Sequence, residues 1–323
     1  MNVNVSLSHR FLKRVALVGF VTIPAMGLSV EGKGRLLPFS FGNTNVENAI
    51  VQKYEADSEA WAEDGLFLVA FCYARNGRSN EFEKVWGAIS EPAVSNYVRI
   101  LDVKAEKPYR TILLDMLATN GIDKIIFPIA SHSTLKAVMD CYRANPGIWD
   151  VGQLDLAGLC YYIEGNVTDA IKAYEQKYEL APTDVDTMQA LVTALIAAGE
   201  VGKAEKIASD VWRRNQAPLA LEYLGIIKIK RHDHEGFAQL VDELLKHQGE
   251  SEQIRTLLLG YAMEVNDIGV GKKILNGVKA SVTQKELENN AELRRAIVKV
   301  SLFFDKLDEL SKENGSDRLD GMK

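Results

Sequence analysis

Apolar side chains recur at helical spacing along most of the chain. From Glu47 onward, hydrophobic positions three and four residues apart alternate with short polar or glycine-containing breaks, which is typical of successive amphipathic helices. Before residue 150 the predicted helical stretches are 47–56, 58–75, 82–91, 94–103, 109–120 and 133–144. No regular alternation of strand and helix appears, so the pattern predicts an all-α fold.

Two stretches depart from this helical pattern. Residues 36–45 are rich in Pro, Gly, Ser and Asn, which predicts a loop or an extended lead-in. Residues 125–129 form a short apolar run that contains Pro128, and this is where a strand or an irregular segment could interrupt the helices.

The second half of the chain repeats itself with a period of about 34 residues, a length found in helical repeat proteins. Gly165, Gly199 and Asp233 are evenly spaced and stand one period apart. Five residues after each comes an alanine, at positions Ala170, Ala204 and Ala238. Small residues at regular spacing allow two helices to cross closely, so the period predicts a series of helical hairpins.

At the positions of a known repeat pattern the first copy, residues 151–184, carries Leu154, Ala157, Gly158, Tyr161, Ala170, Tyr174 and Pro182. On these residues the copy resembles the tetratricopeptide repeat. It departs from the family at the opening tryptophan, at the following leucine and at a later small position, which are here Leu154, Ala157 and Lys177. The resemblance is weaker over 185–286, where the copies are predicted to begin at Val185, Leu219 and Gln253.

This resemblance implies a right-handed superhelical solenoid of helix–turn–helix repeats that serves as a protein–protein interaction scaffold. The predicted organisation is a helical, repeat-like part over 28–150, repeats over 151–286, a C-terminal capping helix over 287–312 and a disordered tail over 313–323. Thr283 and Glu286 have the spacing of a capping box before that final helix.

The resemblance also implies which side chains line the groove formed by the first helix of each repeat. The predicted partner-binding residues are Leu159, Tyr162, Gln189, Thr193, Tyr223, Ile227 and Tyr261. We expect the three tyrosines among them to be exposed, and the framework residues Tyr161 and Tyr174 to be buried. Such a groove suits an extended or helical apolar segment of another protein. Alternatively, these side chains pack against the N-terminal helices or a second subunit; the oligomeric state is left open.

The stretch 1–27 has the layout of an export signal. No Asp or Glu occurs before Glu31, and three basic residues precede an apolar run over 15–30. Cleavage after Gly27, or two residues later, predicts a periplasmic or exported scaffold, for instance in a secretion, pilus or surface-polysaccharide assembly. The alternatives are an uncleaved membrane tether, a folded N-terminal element, or a cytoplasmic adaptor or chaperone.

The net charge and the cysteine spacing limit the kinds of partner and cofactor that we expect for this chain. A formal net charge of -6 argues against a nucleic-acid partner, which requires a basic surface. Cys72, Cys141 and Cys160 have no metal-site spacing, and their apolar surroundings predict buried free thiols. We therefore expect no cofactor.

The histidines give no strong sign of a reactive site. The polar run 231–235 contains two of them, but it falls on a predicted turn, which favours solvated side chains over metal ligands. Ser133, beside His132, is interpreted as a helix cap and not as a nucleophile. We predict no catalytic residue and no metal site, and an enzyme with a site within 31–150 remains the lesser alternative.

Overall fold

A computed structural model describes residues 35–100, 124–129, 131–249, 251–263, 265 and 268–320. The predicted export signal, residues 1–27, and the predicted helix over 109–120 lie outside the described residues. The chain divides into two compact units, one that ends at Glu200 and one that begins at Val201.

The unit that ends at Glu200 contains two strands and eight described helices. The strands are β1 (Arg35–Ser40) and β2 (Lys124–Ile129). The helices are α1 (Thr44–Ala56), α2 (Glu63–Arg75), α3 (Ser79–Trp86), α4 (Glu91–Ile100), α5 (His132–Ala144), α6 (Val151–Ile163), α7 (Val167–Leu180) and α8 (Val185–Ala197). Single 3-10 turns, Ser58–Ala60 and Pro146–Ile148, precede α2 and α6.

The unit that begins at Val201 is helical throughout its described residues. Its helices are α9 (Val201–Asn215), α10 (Pro218–Lys230), α11 (His234–His247), α12 (Glu252–Ala262), α13 (Ile268–Ser281), α14 (Gln284–Asn289) and α15 (Ala291–Asp320). From α9 to α13 each helix packs on the next one along the chain, and α10 and α12, the first helices of the third and fourth repeats, also pack on each other. The predicted tetratricopeptide-like helical-repeat fold is confirmed.

The lead-in to the helices is a strand and not a loop. Strand β1 pairs antiparallel with β2, with Arg35 opposite Ile129 and Ser40 opposite Lys124. The ribbon is held to the helices by aromatic packing, because Phe127 of β2 is fully buried and its ring centroid lies 5.6 Å from that of Phe71 on α2. Strand β1 also packs on α6. The ribbon is the one departure from an all-α fold among the described residues.

One type of turn ends the first helix of several hairpins. In each, a residue with positive φ follows the helix, and the next residue donates its backbone N–H five residues back, as Asn166 N does to Tyr161 O at 2.9 Å. The residues with positive φ are Gly77, Gly165, Gly199 and His232. The α2–α3 hairpin therefore has the same turn as the repeats, which agrees with its prediction as repeat-like.

The predicted register of the third and fourth repeats is wrong by one residue. The residues that cap the first helices are Asp150, Asp184, Ala217 and Ser251, so the second interval is shorter by one residue than the intervals on either side of it. The third copy therefore begins at Pro218 and the fourth at Glu252. Phe237 and Gly271, both buried, occupy the position of Ala170 in the third and fourth repeats, whereas the uniform 34-residue period predicts Ala238 and Lys272 there; Ala238 is exposed.

The C-terminal end also differs from the prediction. Thr283 and Glu286 form the predicted capping box, but they start the six-residue helix α14. The long helix α15 starts one residue after Asn290, whose side chain accepts from Leu293 N at 2.9 Å. It continues to Asp320, beyond the predicted end at residue 312, because no proline interrupts it and a single glycine costs only about 1 kcal/mol.

Candidate partner-binding site

Most of the predicted groove residues are buried. Tyr162 is half-buried, whereas the other six expose 9% or less of their surface: Leu159, Gln189, Thr193, Tyr223, Ile227 and Tyr261. The expectation that Tyr223 and Tyr261 are exposed is wrong, whereas the predicted burial of Tyr161 and Tyr174 is confirmed.

The one-residue shift explains why the three predicted groove residues of the unit that begins at Val201 are buried. In the observed register, Tyr223, Ile227 and Tyr261 fall on the inward side of α10 and α12, next to the intended positions. Tyr261 stacks on Phe237 with ring centroids 3.8 Å apart, and its hydroxyl donates to His234 O at 3.1 Å. These side chains belong to the core of the repeats.

In the unit that ends at Glu200 the predicted register is correct, so the burial of its predicted groove residues has a different reason. Every residue of α8 from Thr187 to Ile196 is buried, since this helix is apolar on almost all sides, so Gln189 and Thr193 lie inside. Leu159 is on α6, which packs against α5, α7 and β1. Tyr162, on the same helix, keeps an open side, and partial burial raises the pKa of its hydroxyl.

The corrected register brings a different set of side chains to the groove positions of the second unit. We call the set the α10–α12 surface; its residues are Glu222, Ile226, Ile229, Thr256 and Met263. Residues 222, 226 and 229 are four and three apart, so they share one side of α10. Ile226, Ile229 and Met263 pack partly on the core and remain partly open, and Thr256 is exposed.

Glu222 is the polar centre of this surface. Its Oε2 accepts from the hydroxyl of Ser251, which lies 3.3 Å away at the start of α12. Burial raises the pKa of the Glu222 carboxyl to about 7, and the Ser251 hydrogen bond opposes that rise only in part. The carboxyl is therefore a desolvated acceptor with a single hydrogen-bond partner among the described residues.

In the first repeat, Asp155 occupies the position that corresponds to Glu222, and a lysine of the same chain neutralises its charge. Asp155 on α6 accepts from Lys177 Nζ on α7 at 2.6 Å, and the Lys177 side chain is only 3% exposed. Lys177 stands where the family has a small residue, so this departure supplies the cation. In the third repeat that position is Leu244, which is fully buried, and Glu222 receives no such cation.

Pro218 is the sequence signal for this surface. The predicted start of the third copy at Leu219 leaves Pro218 outside that repeat, but it is the first residue of α10, where proline is favoured because its missing N–H is not needed. Pro92 likewise lies in the first turn of α4, although the sequence pattern leaves it between the predicted helical stretches 82–91 and 94–103.

The other candidate residues have structural partners. The Asp233 side chain accepts from Gly236 N at 2.8 Å and caps α11, with Lys228 Nζ 2.9 Å away. Ser131, and not Ser133, caps α5, and its hydroxyl lies 2.7 Å from Asp64 Oδ1. Where the structure describes side chains, no three His, Cys, Asp or Glu residues gather as a metal site would require.

The cysteines are free and buried, as predicted. Burial raises the pKa of the Cys141 thiol to about 12, and it also raises the pKa of Cys72 and Cys160. These thiols are therefore protonated and unreactive near neutral pH.

The composition of the helices and the similarity to known proteins both bear on the class of protein. No helix within the described ranges has both the length and the apolar composition to cross a bilayer. Residues 161–224, from the end of α6 into α10, match a family model described as tetratricopeptide repeat, and a search of curated proteins gave no match. Together with the repeated hairpins, this match identifies the chain as a protein that contains tetratricopeptide repeats, a fold that commonly mediates protein–protein interaction.

Proposed function

We propose that the protein is a non-catalytic scaffold that binds a segment of another protein on the α10–α12 surface. The observation that carries the proposal is the row formed by Glu222, Ile226 and Ile229 on one side of α10, at positions that the family resemblance assigns to the groove. Apolar side chains around a single polar group are typical of a surface that orients a partner.

The chemistry of the row indicates what the partner segment carries. Ile226, Ile229 and Met263 offer apolar contact, so the segment presents aliphatic or aromatic side chains. Glu222 is desolvated and lacks the cation that Lys177 gives to Asp155. The segment therefore also presents a hydrogen-bond donor or a basic group to Glu222, because one hydrogen bond from Ser251 only partly compensates a desolvated carboxylate.

Site-specific photo-crosslinking in the native cell tests this proposal. A photoreactive residue at Thr256, which is exposed on α12, is expected to capture a defined protein. The matched control is Ala238, which is exposed on the second helix α11. Identical products from both positions would contradict the assignment of the surface.

A binding measurement with the captured protein follows. Ile226→Ala is expected to weaken its binding by about 1 to 2 kcal/mol while the helical circular dichroism signal stays unchanged. A variant that binds as tightly as the native protein would remove α10 from the interface.

We further propose that the scaffold works outside the cytoplasm, in the cell envelope or periplasm, for instance in a secretion, pilus or surface-polysaccharide assembly. The support is the basic and then apolar composition of residues 1–27. Residues 1–45 fused to a reporter that is active only after export are expected to give activity, and Leu17→Asp with Val18→Asp to abolish it. A silent native fusion would favour the alternative, a cytoplasmic adaptor or chaperone.

A further inference from the structure

Helix α15 exposes apolar side chains on the side that faces away from its own unit. Its inward side, formed by Leu293, Ile297, Val300 and Phe304, is buried against the core. On the opposite side Val298 is 51% exposed and Leu302 is 62% exposed, with Phe303 at the edge 38% exposed. Val298 and Leu302 are four residues apart, so they are neighbours on the outer surface of the helix.

Charged residues flank this apolar patch in a regular order. Arg295 lies seven residues before Leu302 and Glu309 lies seven residues after it, and both are exposed. Seven residues are nearly two helical turns, so all three share the outer side of α15. Lys299 and Asp305 stand three residues before and after Leu302, on either flank of the same side. These four charges are thus positive before Leu302 and negative after it, while Lys306, an exposed lysine that follows Leu302 on this side, stands as far after it as the apolar Val298 stands before it.

We propose that the outer side of α15 pairs with the same side of a second copy of the chain, antiparallel, with the two-fold axis at Leu302. A two-fold interface is self-complementary, so a residue placed before the axis meets the residue placed equally far after it. This register sets Arg295 of each copy opposite Glu309 of the other, and Lys299 opposite Asp305. A parallel pairing would instead set like charges against each other, which is unfavourable.

The apolar contact in such a pair is small, which limits its strength. Leu302 meets its counterpart on the axis, and Val298 packs along the aliphatic part of the other copy's Lys306. An interface of this size is expected to give a dissociation constant on the order of micromolar and to weaken as salt screens the charges. The pairing uses neither α10 nor α12 and is independent of the proposed partner site.

Sedimentation analysis of the full chain over a wide concentration range tests the dimer. We expect a reversible monomer–dimer equilibrium, weakened about tenfold or more by Leu302→Asp, which places two like charges on the axis. Leu180→Asp is the matched control, because Leu180 is 56% exposed on α7, and this variant should associate like the native chain. A native chain that stays monomeric throughout would overturn the proposal.

Charge exchange tests the register. Arg295→Glu and Glu309→Arg should each weaken the dimer, whereas the double variant should restore it, because the opposite charges meet again. A double variant weaker than either single one would overturn the antiparallel arrangement.

A cross-link gives a readout that does not depend on affinity. Leu302→Cys supplies an exposed thiol, while the native Cys72, Cys141 and Cys160 are buried. Mild oxidation is expected to yield a covalent dimer faster than it does for Leu180→Cys, because the two copies of residue 302 face each other. Equal rates for the two variants would overturn the proposed axis.

Discussion

The ring of Tyr174 lies directly against Gly158, so the two helices of the first repeat touch where the sequence has no side chain. A β carbon at residue 158 would stand 2.6 Å from Tyr174 Cζ. Both residues are buried, so the ring could make room for that carbon only by displacing the side chains packed around it. This contact explains why a glycine and an aromatic residue occur together at these repeat positions.

Gly158→Ala should therefore destabilise the protein. Overpacking costs about 1 to 3 kcal/mol, which outweighs the gain of up to about 1 kcal/mol from replacing a helical glycine. Thermal or urea unfolding measures the difference. Gly202→Ala in α9 is the control, because a β carbon there meets no atom within 4 Å, and it should be neutral or slightly stabilising.

The hydroxyl of Tyr174 predicts a contrast between two tyrosines. It is buried and has no hydrogen-bond partner among the residues that the structure describes, whereas the Tyr161 hydroxyl donates to Met139 O at 3.3 Å. Tyr174→Phe should leave the free energy of unfolding unchanged or raise it, because it removes an unsatisfied polar group. Tyr161→Phe should lower it by about 0.5 to 1.5 kcal/mol. Equal losses in the two variants would show that the Tyr174 hydroxyl has a partner in solution.

Glu222 predicts a pH-dependent stability. The pKa of its carboxyl is 4.5 when unperturbed and about 7 in the fold, so between these values the folded state binds the extra proton. Stability is therefore lost as the pH rises from about 4.5 through 7, and ionised Glu222 destabilises the fold above that. Glu222→Gln should exceed the native chain in stability at pH 8 by about 1 to 3 kcal/mol and by much less at pH 5. The same difference at both pH values would contradict the burial of this carboxyl.

The corrected repeat register predicts which alanines tolerate a larger side chain. Ala170→Leu and Ala204→Leu should each cost about 1 to 3 kcal/mol, because both residues are completely buried. Ala238→Leu should change the free energy of unfolding little, because Ala238 is exposed and Phe237 takes the inner position. Destabilisation by Ala238→Leu equal to that of the other two would restore the uniform register predicted from the sequence.

The sequence by itself determined the helical hairpins and the repeat. Gly165 and Gly199 mark turns that need a positive φ, and Gly158 with Ala170 marks close helix crossings. Each of these requirements is met within one hairpin, so residue type and spacing were enough to predict the hairpins and their repeat.

Tertiary structure decided what depended on contacts between distant segments. The extended lead-in became strand β1 only by pairing with β2, which follows much later in the chain, after helices α1 to α4. Pro218 allowed either a helix end or a helix start, and packing in the third repeat selected the start.

In the unit that begins at Val201, this shift of one residue placed the predicted groove side chains in the core. Tyr223 and Ile227 moved inward, and Glu222 and Ile226 moved to the partly open side, because neighbouring residues of a helix point about 100° apart. The environment of Glu222 depends further on Ser251, on the next repeat. The period of the pattern thus set the class of fold, whereas the side chains on its accessible surface were fixed by where each helix begins against its neighbours.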